Sequence, residues 1–378
     1  MKQFKFGLIF ILLAPLILRA QEDERNWRLY GYVKDMVSFN FPEQGDSSLV
    51  DNLVHNRLNF SWFPSENFTT QIEVRTRLFN GDLVKTIPQY GEFIDVNDDY
   101  FDLSTMPVNE NNIVLHSMID RAYIDWKQDK WSLRVGRQRI NWGINMVWNP
   151  NDIFNAYNFF DFDYEERPGS DAIRFQRYIG FAGGIEVAVK AADDWKEFTG
   201  AALYKWNKWN YDMQVLTGVM RNNVVLGGGW AGNIGLAGFK GEMTYFHALD
   251  DEVNNEFLGT ISFDYSFPNS LYFNVSGLYN SNGSDSGGLE LQSSANLDVR
   301  SLSPYKWSTF FQSTYSFHPL LNGGMSVLYF VDQPGTFLGP FITWSIIQNL
   351  DLDLIGQFYL NAEPQSIRII YTRIKYSF

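Results

Sequence analysis

The segment from Phe68 to Leu78, FTTQIEVRTRL, alternates strictly between two kinds of side chain. Phe68, Ile72 and Leu78 fall in one phase, whereas charged residues such as Glu73 fall in the other. Successive side chains of an extended chain point to opposite faces, so the alternation predicts a β-strand with one apolar and one polar face. A tilted strand needs roughly ten residues to cross a bilayer, and this segment has that length.

The same alternation recurs to the end of the chain, and no Pro-rich or Ser-rich linker divides it. Counting the segments gives about 18 strands, or about 16 if two weak segments are not strands. The pattern predicts an all-β fold, a transmembrane antiparallel up-and-down β-barrel. The segments are 27–41, 54–62, 68–78, 121–127, 131–135, 184–190, 199–206, 209–220, 236–247, 257–267, 271–279, 308–317, 325–331, 337–346, 350–360 and 366–378, with weaker ones at 172–179 and 224–231.

The connections between these segments alternate between short and long, as in barrels with short periplasmic turns and longer extracellular loops. The three longest, at about 80–112, 141–170 and 280–305, all fall in the extracellular class. Residues 1–20 predict a cleaved signal peptide, because Lys2 and Lys5 precede an apolar run too short to span a bilayer as a helix. Residues 21–378 are predicted to form a single outer-membrane barrel.

Charge and cysteine content exclude several kinds of partner and site. Removing residues 1–20 takes away three cations and no anions, so the formal charge changes from −13 to −16. Nucleic acid is therefore not expected as a partner, since phosphate binding depends on a basic surface. The chain has no Cys, which excludes disulfides and thiolate metal sites. No metal site, cofactor or enzymatic activity is predicted, because no catalytic motif accompanies the four histidines.

Aromatic residues mark the predicted strand ends, with Trp27, Trp62 and Trp126 as examples. Rings in these positions are typical of the girdles at the two bilayer interfaces. The last strand, IRIIYTRIKYSF, ends on Phe378. This terminal aromatic resembles the signal by which the barrel-assembly machinery recognises outer-membrane barrels, so that machinery is an expected partner. Outer-membrane lipid and lipopolysaccharide are expected around the wall, and a homo-oligomer or a complex with other envelope proteins is left open.

Two stretches carry a family resemblance. LRVGRQRINWG at 133–143 and VWNPNDIFN at 147–155 resemble a segment of porin-like and alginate-export-like barrels of Gram-negative outer membranes. The signal, the aromatic excess and the terminal Phe are similar to those of barrels from the Bacteroidota. The resemblance covers about a tenth of the chain. It implies an outer-membrane location and a channel-type role, and it implies no substrate.

Charged residues in the polar phase predict a site inside the barrel. An arginine that faces the interior must lie in water or pair with a carboxylate. The connection at 141–170 is rich in rings and acids, so we expect it to fold inward as a constriction loop opposite an arginine wall. The predicted pore-lining residues are Arg75, Arg77, Arg121, Arg134, Arg137, Arg139 and Arg174. The predicted acids of the constriction loop are Asp161, Asp163, Glu165 and Glu166.

Arg137 and Arg139 belong to the predicted pore-lining residues only if the phase of the alternation reverses within the strand. In the phase of Trp131 and Val135 they would face lipid, at a cost of roughly 2–4 kcal/mol each. A glycine within a strand is where a bulge can insert a residue and reverse the phase. We therefore expect a bulge at Gly136 that turns both arginines inward.

Three functional interpretations remain open at this point. The first is an outer-membrane channel for passive or weakly selective passage of small hydrophilic solutes. The second is a non-conducting structural or accessory barrel of a larger outer-membrane assembly, for secretion or surface anchoring, in which the same charges neutralise one another. A barrel enzyme is the least favoured, because no nucleophile and base are visibly paired.

Overall fold

A computed structural model describes residues 25–42, 48–95, 99–156, 163, 165–250, 252–283, 298–331, 335–360 and 366–378. The predicted signal peptide lies outside this range. The strands are β1 (Trp27–Asn40), β2 (Leu49–Ser65), β3 (Phe68–Gly81), β4 (Ser104–Glu110), β5 (Ile113–Gln128), β6 (Trp131–Gln138), β7 (Ser170–Ile179), β8 (Gly183–Lys190), β9 (Thr199–Lys208), β10 (Tyr211–Met220), β11 (Asn223–Ile234), β12 (Ala237–Ala248), β13 (Glu256–Ser266), β14 (Leu271–Asn280), β15 (Trp307–His318), β16 (Leu321–Phe330), β17 (Thr336–Ile347), β18 (Leu350–Leu360) and β19 (Ile367–Ser377). Two short helices, α1 (Asp82–Thr86) and α2 (Tyr90–Ile94), follow β3. Among the described helices, none is long and apolar enough to cross a membrane.

Eighteen strands form a closed antiparallel barrel. Each strand pairs with its neighbours in sequence, and β19 closes the ring on β1. Gly31 and Phe378 exchange two backbone hydrogen bonds of 2.9 Å across this seam. The predicted fold class and the larger of the two strand counts are confirmed.

The outer face of the wall is apolar. Outward side chains such as Ile124, Leu226 and Ile342 are 53%, 57% and 47% exposed, which is the surface that hydrocarbon covers in a barrel of this kind. Rings gather near the strand ends, where Phe68 stacks on Trp126 at 5.7 Å. The predicted alternation therefore corresponds to a lipid-facing side and a lumen-facing side.

The nineteenth strand, β4, lies in the long connection between β3 and β5. It pairs with residues 113–118 of β5, whereas β6 pairs with residues 122–128 of the same strand. Thus β4 lies beside the first residues of β5, beyond the point where β6 ends at Gln138. The chain after Gln138 is free to leave the wall.

Gly136 does not carry the expected bulge. The ladders of β6 with β5 and with β7 run without a register shift through this residue. Gly136 instead has φ 117°, and a Cβ atom there would lie 2.2 Å from the carbonyl oxygen of Ala122. The irregularity lies in β5, where the pairing passes from Arg121 to Ile119 and leaves Asp120 without a Cα partner. Asp120 and Arg121 therefore both reach interior partners.

Candidate functional site in the barrel lumen

Residues 139–156, which we call the lumen segment, leave the wall after β6 and run through the barrel interior. Trp142 is 1% exposed and packs in one apolar cluster with Leu216 and Phe246 of the inner wall. Trp148 belongs to a second cluster on the strands further round the ring, and its ring centroid lies 6.4 Å from that of Phe310. Burial of these rings removes a large apolar area from water. The segment therefore spans the lumen from one part of the wall to another.

Glu242 of β12 fixes the middle of the lumen segment. Its carboxylate accepts backbone hydrogen bonds from Ile144 at 2.5 Å, Asn145 at 2.8 Å and Asn151 at 3.1 Å. The side-chain amide of Asn145 donates a fourth bond at 3.2 Å. Glu242 is 1% exposed, and the donor residues Asn145 and Asn151 are 9% and 0% exposed. One carboxylate thus satisfies three main-chain groups that would be costly to leave unpaired.

Further polar contacts join the lumen segment to the wall. The indole N–H of Trp142 donates a hydrogen bond to Glu186 at 2.7 Å, and the backbone carbonyl of Trp142 accepts one from Gln214 at 2.6 Å. Asn151 donates to the carbonyl of Gly228 at 3.0 Å. A Cβ atom at Gly227 would lie 2.7 Å from the Asn151 Oδ1 atom, so only glycine at that position allows the approach. The segment is held by several strands at once.

Asp163 and Glu165, further along the same connection, contact the strands beside the seam. Asp163 lies 2.8 Å from Lys34 of β1 and 2.8 Å from His55 of β2. Glu165 lies 2.9 Å from Lys375 of β19. We call these five residues the seam latch. Burial alone would raise the pKa of Asp163, but the hydrogen bond from His55 and the Lys34 ammonium hold it well below its usual range.

A second ionic cluster lies next to the seam latch. The Arg57 guanidinium, which is completely buried, pairs with Glu73 and Asp120 and lies 3.7 Å from Glu166. Arg75 approaches Asp120 to 3.4 Å. Arg121 donates to the carbonyl oxygen of Glu166 at 2.9 Å. The charges in this cluster are matched, as buried ions require.

Apart from Asp163 and Glu165 of the seam latch, the predicted site residues that the structure describes lie in three groups. Arg75 and Arg121 lie in the buried cluster with Glu166, and Arg77 lies nearby, 3.2 Å from His116. Arg137 bridges strands, because it pairs with Asp171 at 2.8 Å and donates to the carbonyl of Ile119 at 3.3 Å. Arg139 contacts Asn141 at 3.2 Å at an exposed position. Asp161 lies outside the described residues.

Arg134 and Arg174 form the third group. They are direct cross-strand neighbours on β6 and β7, and their side chains remain 20% and 15% exposed. Arg134 lies 2.7 Å from Asp125, and Arg174 lies 3.5 Å from Glu186. Unlike Arg57, this pair keeps contact with the solvent-accessible part of the interior.

Sequence reasoning missed Arg57, Lys34, Asp120 and Glu242. The alternation places Arg57 in the lumen phase of β2, so it could have joined the predicted arginines on that ground alone. Glu242 gave no comparable signal, since its partner Asn145 lies 97 residues away.

A cavity of about 390 Å³ opens beside the lumen segment, at the end of the barrel where β8 ends and β9 begins. Its apolar side includes Ile153 and Phe154, and its charged side includes Lys190, Arg221 and Asp298.

Asp152 makes the lumen segment sensitive to pH. Complete burial raises the pKa of this carboxyl to about 7, although it accepts a hydrogen bond from the Trp142 backbone. The unfolded chain gives up this proton near the ordinary pKa of about 4, so the folded state loses stability as the pH rises from about 4 to about 7. The expected slope is roughly 1.4 kcal/mol per pH unit from this group. Urea unfolding in lipid vesicles across this range should show the decline, and Asp152→Asn should flatten it. An unchanged slope in the variant would assign the pH dependence to other groups.

No model of a known protein family matches the chain, and no curated protein sequence matches it. Solved structures do match. OccK11 (OpdR) of Pseudomonas aeruginosa has 10% identity and a TM-score of 0.60, covering 96% of this chain and 99% of that one. OccAB2 of Acinetobacter baumannii has 10% identity and a TM-score of 0.57, covering 93% and 98% of the two chains. OccK5 (OpdH) of Pseudomonas aeruginosa has 8% identity and a TM-score of 0.58.

These likenesses are in fold. Together with the closed eighteen-stranded ring and the apolar outer face, they define the chain as an outer-membrane β-barrel. The predicted outer-membrane localisation is thereby confirmed, and cleavage of residues 1–20 stays a prediction. The three neighbours share about a tenth of their residues or fewer with this chain, so they carry no residue roles to it.

Proposed function

We propose that the protein is a porin-like channel for passive or weakly selective passage of small hydrophilic solutes. The observation that carries this proposal is the lumen segment, which is folded across a closed barrel and fixed there by buried polar contacts such as those of Glu242. A barrel of this strand number leaves an aqueous interior unless something fills it. A segment that fills part of that interior narrows it and so selects by size.

In this proposal residues 141–170 are the constriction loop and the arginines form the wall that faces it. The loop's acids Asp163, Glu165 and Glu166 pair with cations near the seam, which supports a fixed loop position. Arg134 and Arg174 retain solvent exposure, so they are the arginines whose field a passing ion would meet. Charged groups around a narrow passage bias the permeation of ions of opposite sign.

The direct test is electrical. Purified protein added to a planar bilayer should insert and give discrete, reproducible conductance steps. Vesicles that contain the protein should also release small hydrophilic solutes and retain large ones. Insertion that is proven by protease protection but that carries no current would overturn the channel proposal.

Neutralising the exposed arginine pair should change ion selectivity. The double substitution Arg134→Gln and Arg174→Gln removes two positive charges that line the interior, so the anion-to-cation permeability ratio should fall by roughly two- to tenfold. Reversal potentials in a salt gradient measure the ratio. Lys85→Gln is the matched control, because this lysine is 59% exposed on α1 and pairs only locally, with Asp82. An equal shift in the control would mean that surface charge, and not the arginine pair, sets selectivity.

The alternative is a non-conducting accessory barrel of a secretion or surface-anchoring assembly. Two features favour this alternative: the matched ionic cluster of Arg57 and the deep burial of Trp142 and Trp148. Both are also expected in a barrel whose interior is sealed. This alternative predicts stable co-purification with envelope proteins and no conductance.

Several finer expectations belong to the same proposal. Phe378 would be recognised by the barrel-assembly machinery, and lipopolysaccharide would surround the extracellular half of the wall. The likeness to alginate-export barrels and to barrels of the Bacteroidota stays a prediction from the sequence alone.

A further inference from the structure

Asp35 occupies a position on β1 where a membrane barrel normally has an apolar residue. Its direct neighbours across the ladder are Val54 of β2 and Ile374 of β19, and Ile374 is 47% exposed on the outer face. Cα partners in an antiparallel ladder project to the same side, so the Asp35 side chain points outward. It lies eight residues along the strand from Trp27, which is roughly 20 Å up a tilted strand and within the apolar band.

Other polar side chains surround Asp35 on the same face. Asn52 donates to the Asp35 carboxylate at 2.6 Å and accepts from Asn80 at 3.3 Å. Below them, Thr76 and Ser117 share a hydrogen bond of 3.0 Å. The register places all of these in outward rows of four adjacent strands. We call the set the outer polar patch, and it consists of Asp35, Asn52, Thr76, Asn80 and Ser117.

The rest of the outer wall contrasts with this patch. The outward rows of the other described strands carry mostly apolar side chains, with uncharged polar residues such as Thr217 and Ser313 among them. Apolar examples are Val215, Leu226, Ile261, Val275 and Leu354, each at least 39% exposed. A carboxylate and several amides within hydrocarbon are costly unless they find partners, and such residues commonly mark a contact. The outer polar patch is therefore distinguished from the rest of this largely apolar surface by its carboxylate and by the amides that are hydrogen-bonded beside it.

We propose that the outer polar patch is the contact surface for a second copy of this chain. Amide and hydroxyl side chains both donate and accept hydrogen bonds, so a patch built from them is complementary to itself. A two-fold interface brings the same surface of both copies together. With the axis near β2, the middle of the patch, β1 of each copy lies opposite β3 of the other.

That arrangement gives the Asp35 carboxylate new donors. In the dimer each Asp35 approaches the β3 residues Thr76 and Asn80 of the other copy, and the two carboxylates stay apart. An acyl chain offers no hydrogen-bond donor to replace these, and an anionic lipid headgroup would be repelled by the carboxylate. The chemistry of the patch thus favours a second barrel over lipid. The pairing is independent of the proposed channel role, because the patch lies on the outside of the wall.

Cross-linking tests the proposal directly, because the chain contains no Cys. Asn52→Cys places a thiol in the middle of the patch, near the expected axis, and a short bismaleimide added to outer-membrane vesicles should give a covalent dimer. Ile261→Cys is the matched control on the same face of β13, where Ile261 is 47% exposed. The control should remain monomeric.

Substitution of the carboxylate gives the second readout. Asp35→Leu should weaken association of the purified protein by at least roughly tenfold in sedimentation, since a partnered charge is lost from the interface. Asp35→Asn, which keeps a hydrogen-bonding side chain, should have a smaller effect and guards against a failure of Asp35→Leu to assemble. Equal cross-linking of the two Cys variants would overturn the proposal. So would a monomer for both, or an Asp35→Leu variant that associates like the parent, and each would leave lipid or another protein as the occupant.

Discussion

Replacing Glu242 with alanine is expected to release the lumen segment and to cause one of the two largest losses in this protein. The substitution leaves the backbone N–H groups of Ile144, Asn145 and Asn151 without their shared acceptor in a buried site. At roughly 1–3 kcal/mol for each of the three unsatisfied groups, the free energy of unfolding should fall by about 3–9 kcal/mol. Under the channel proposal, single-channel conductance should also become larger and noisier, because the segment is no longer fixed. Urea unfolding in vesicles and planar-bilayer recordings measure the two effects.

Glu256→Ala provides the matched control. Glu256 also lies on an inward row, at the start of β13, but within the described part of the chain it accepts a single hydrogen bond, of 3.2 Å from Asn282. Its loss should cost far less than the loss of Glu242. If the two variants were equally stable, the carboxylate of Glu242 would not be what fixes the segment.

Arg57→Met is expected to be comparably severe. The guanidinium is completely buried and contacts Glu73, Asp120 and Glu166. Its removal leaves these three carboxylates with only two cations of the cluster, Arg75 and Arg121. Breaking a buried ionic cluster from one side costs roughly 3–5 kcal/mol. The loss should appear in the free energy of unfolding and in the temperature at which the folded barrel changes its mobility on a gel.

Two further variants sharpen this test. Arg177→Met removes an exposed arginine near the periplasmic end of β7 and should change stability little. Adding Asp120→Asn to Arg57→Met should recover part of the lost stability, because it leaves two carboxylates, Glu73 and Glu166, with the two remaining cations, Arg75 and Arg121. A double variant that is no more stable than Arg57→Met alone would show that lost packing, and not the excess of carboxylates over cations in the cluster, explains the defect.

The barrel was predictable because period-two alternation is a local property of each strand. Segments such as Phe68 to Leu78 reveal their two faces without any knowledge of their neighbours. Strand β4 was not found, since STMPVNE includes a proline and lies inside a connection that the pattern assigned to a loop. At Gly136 the sequence correctly indicated a special backbone. The bulge itself lies at Asp120, where no glycine marks it.

The site was predictable only in part, for a physical reason. Alternation indicates that Arg75 and Arg121 face inward, but it does not say which carboxylate each one meets. Those pairings depend on how a connection folds across the interior, and the contacts of Glu242 and Asp163 join residues that are far apart in sequence. The composition of the lumen segment indicated that its aromatic side chains would be buried. Its route through the barrel was set by inner-wall partners such as Phe246 and Phe310.

The seam between β1 and β19 has a consequence for the order of folding. Because Gly31 pairs with Phe378, ring closure must await the arrival of the last strand, and contacts this distant in sequence form slowly. Until then, the first strand has an open edge and Lys34 lacks a closed wall around it. Asp163 and Glu165 approach Lys34 and Lys375 from the middle of the chain, one on each side of the seam. The contacts of the seam latch are therefore complete only when the first strand, the last strand and the central connection are all in place.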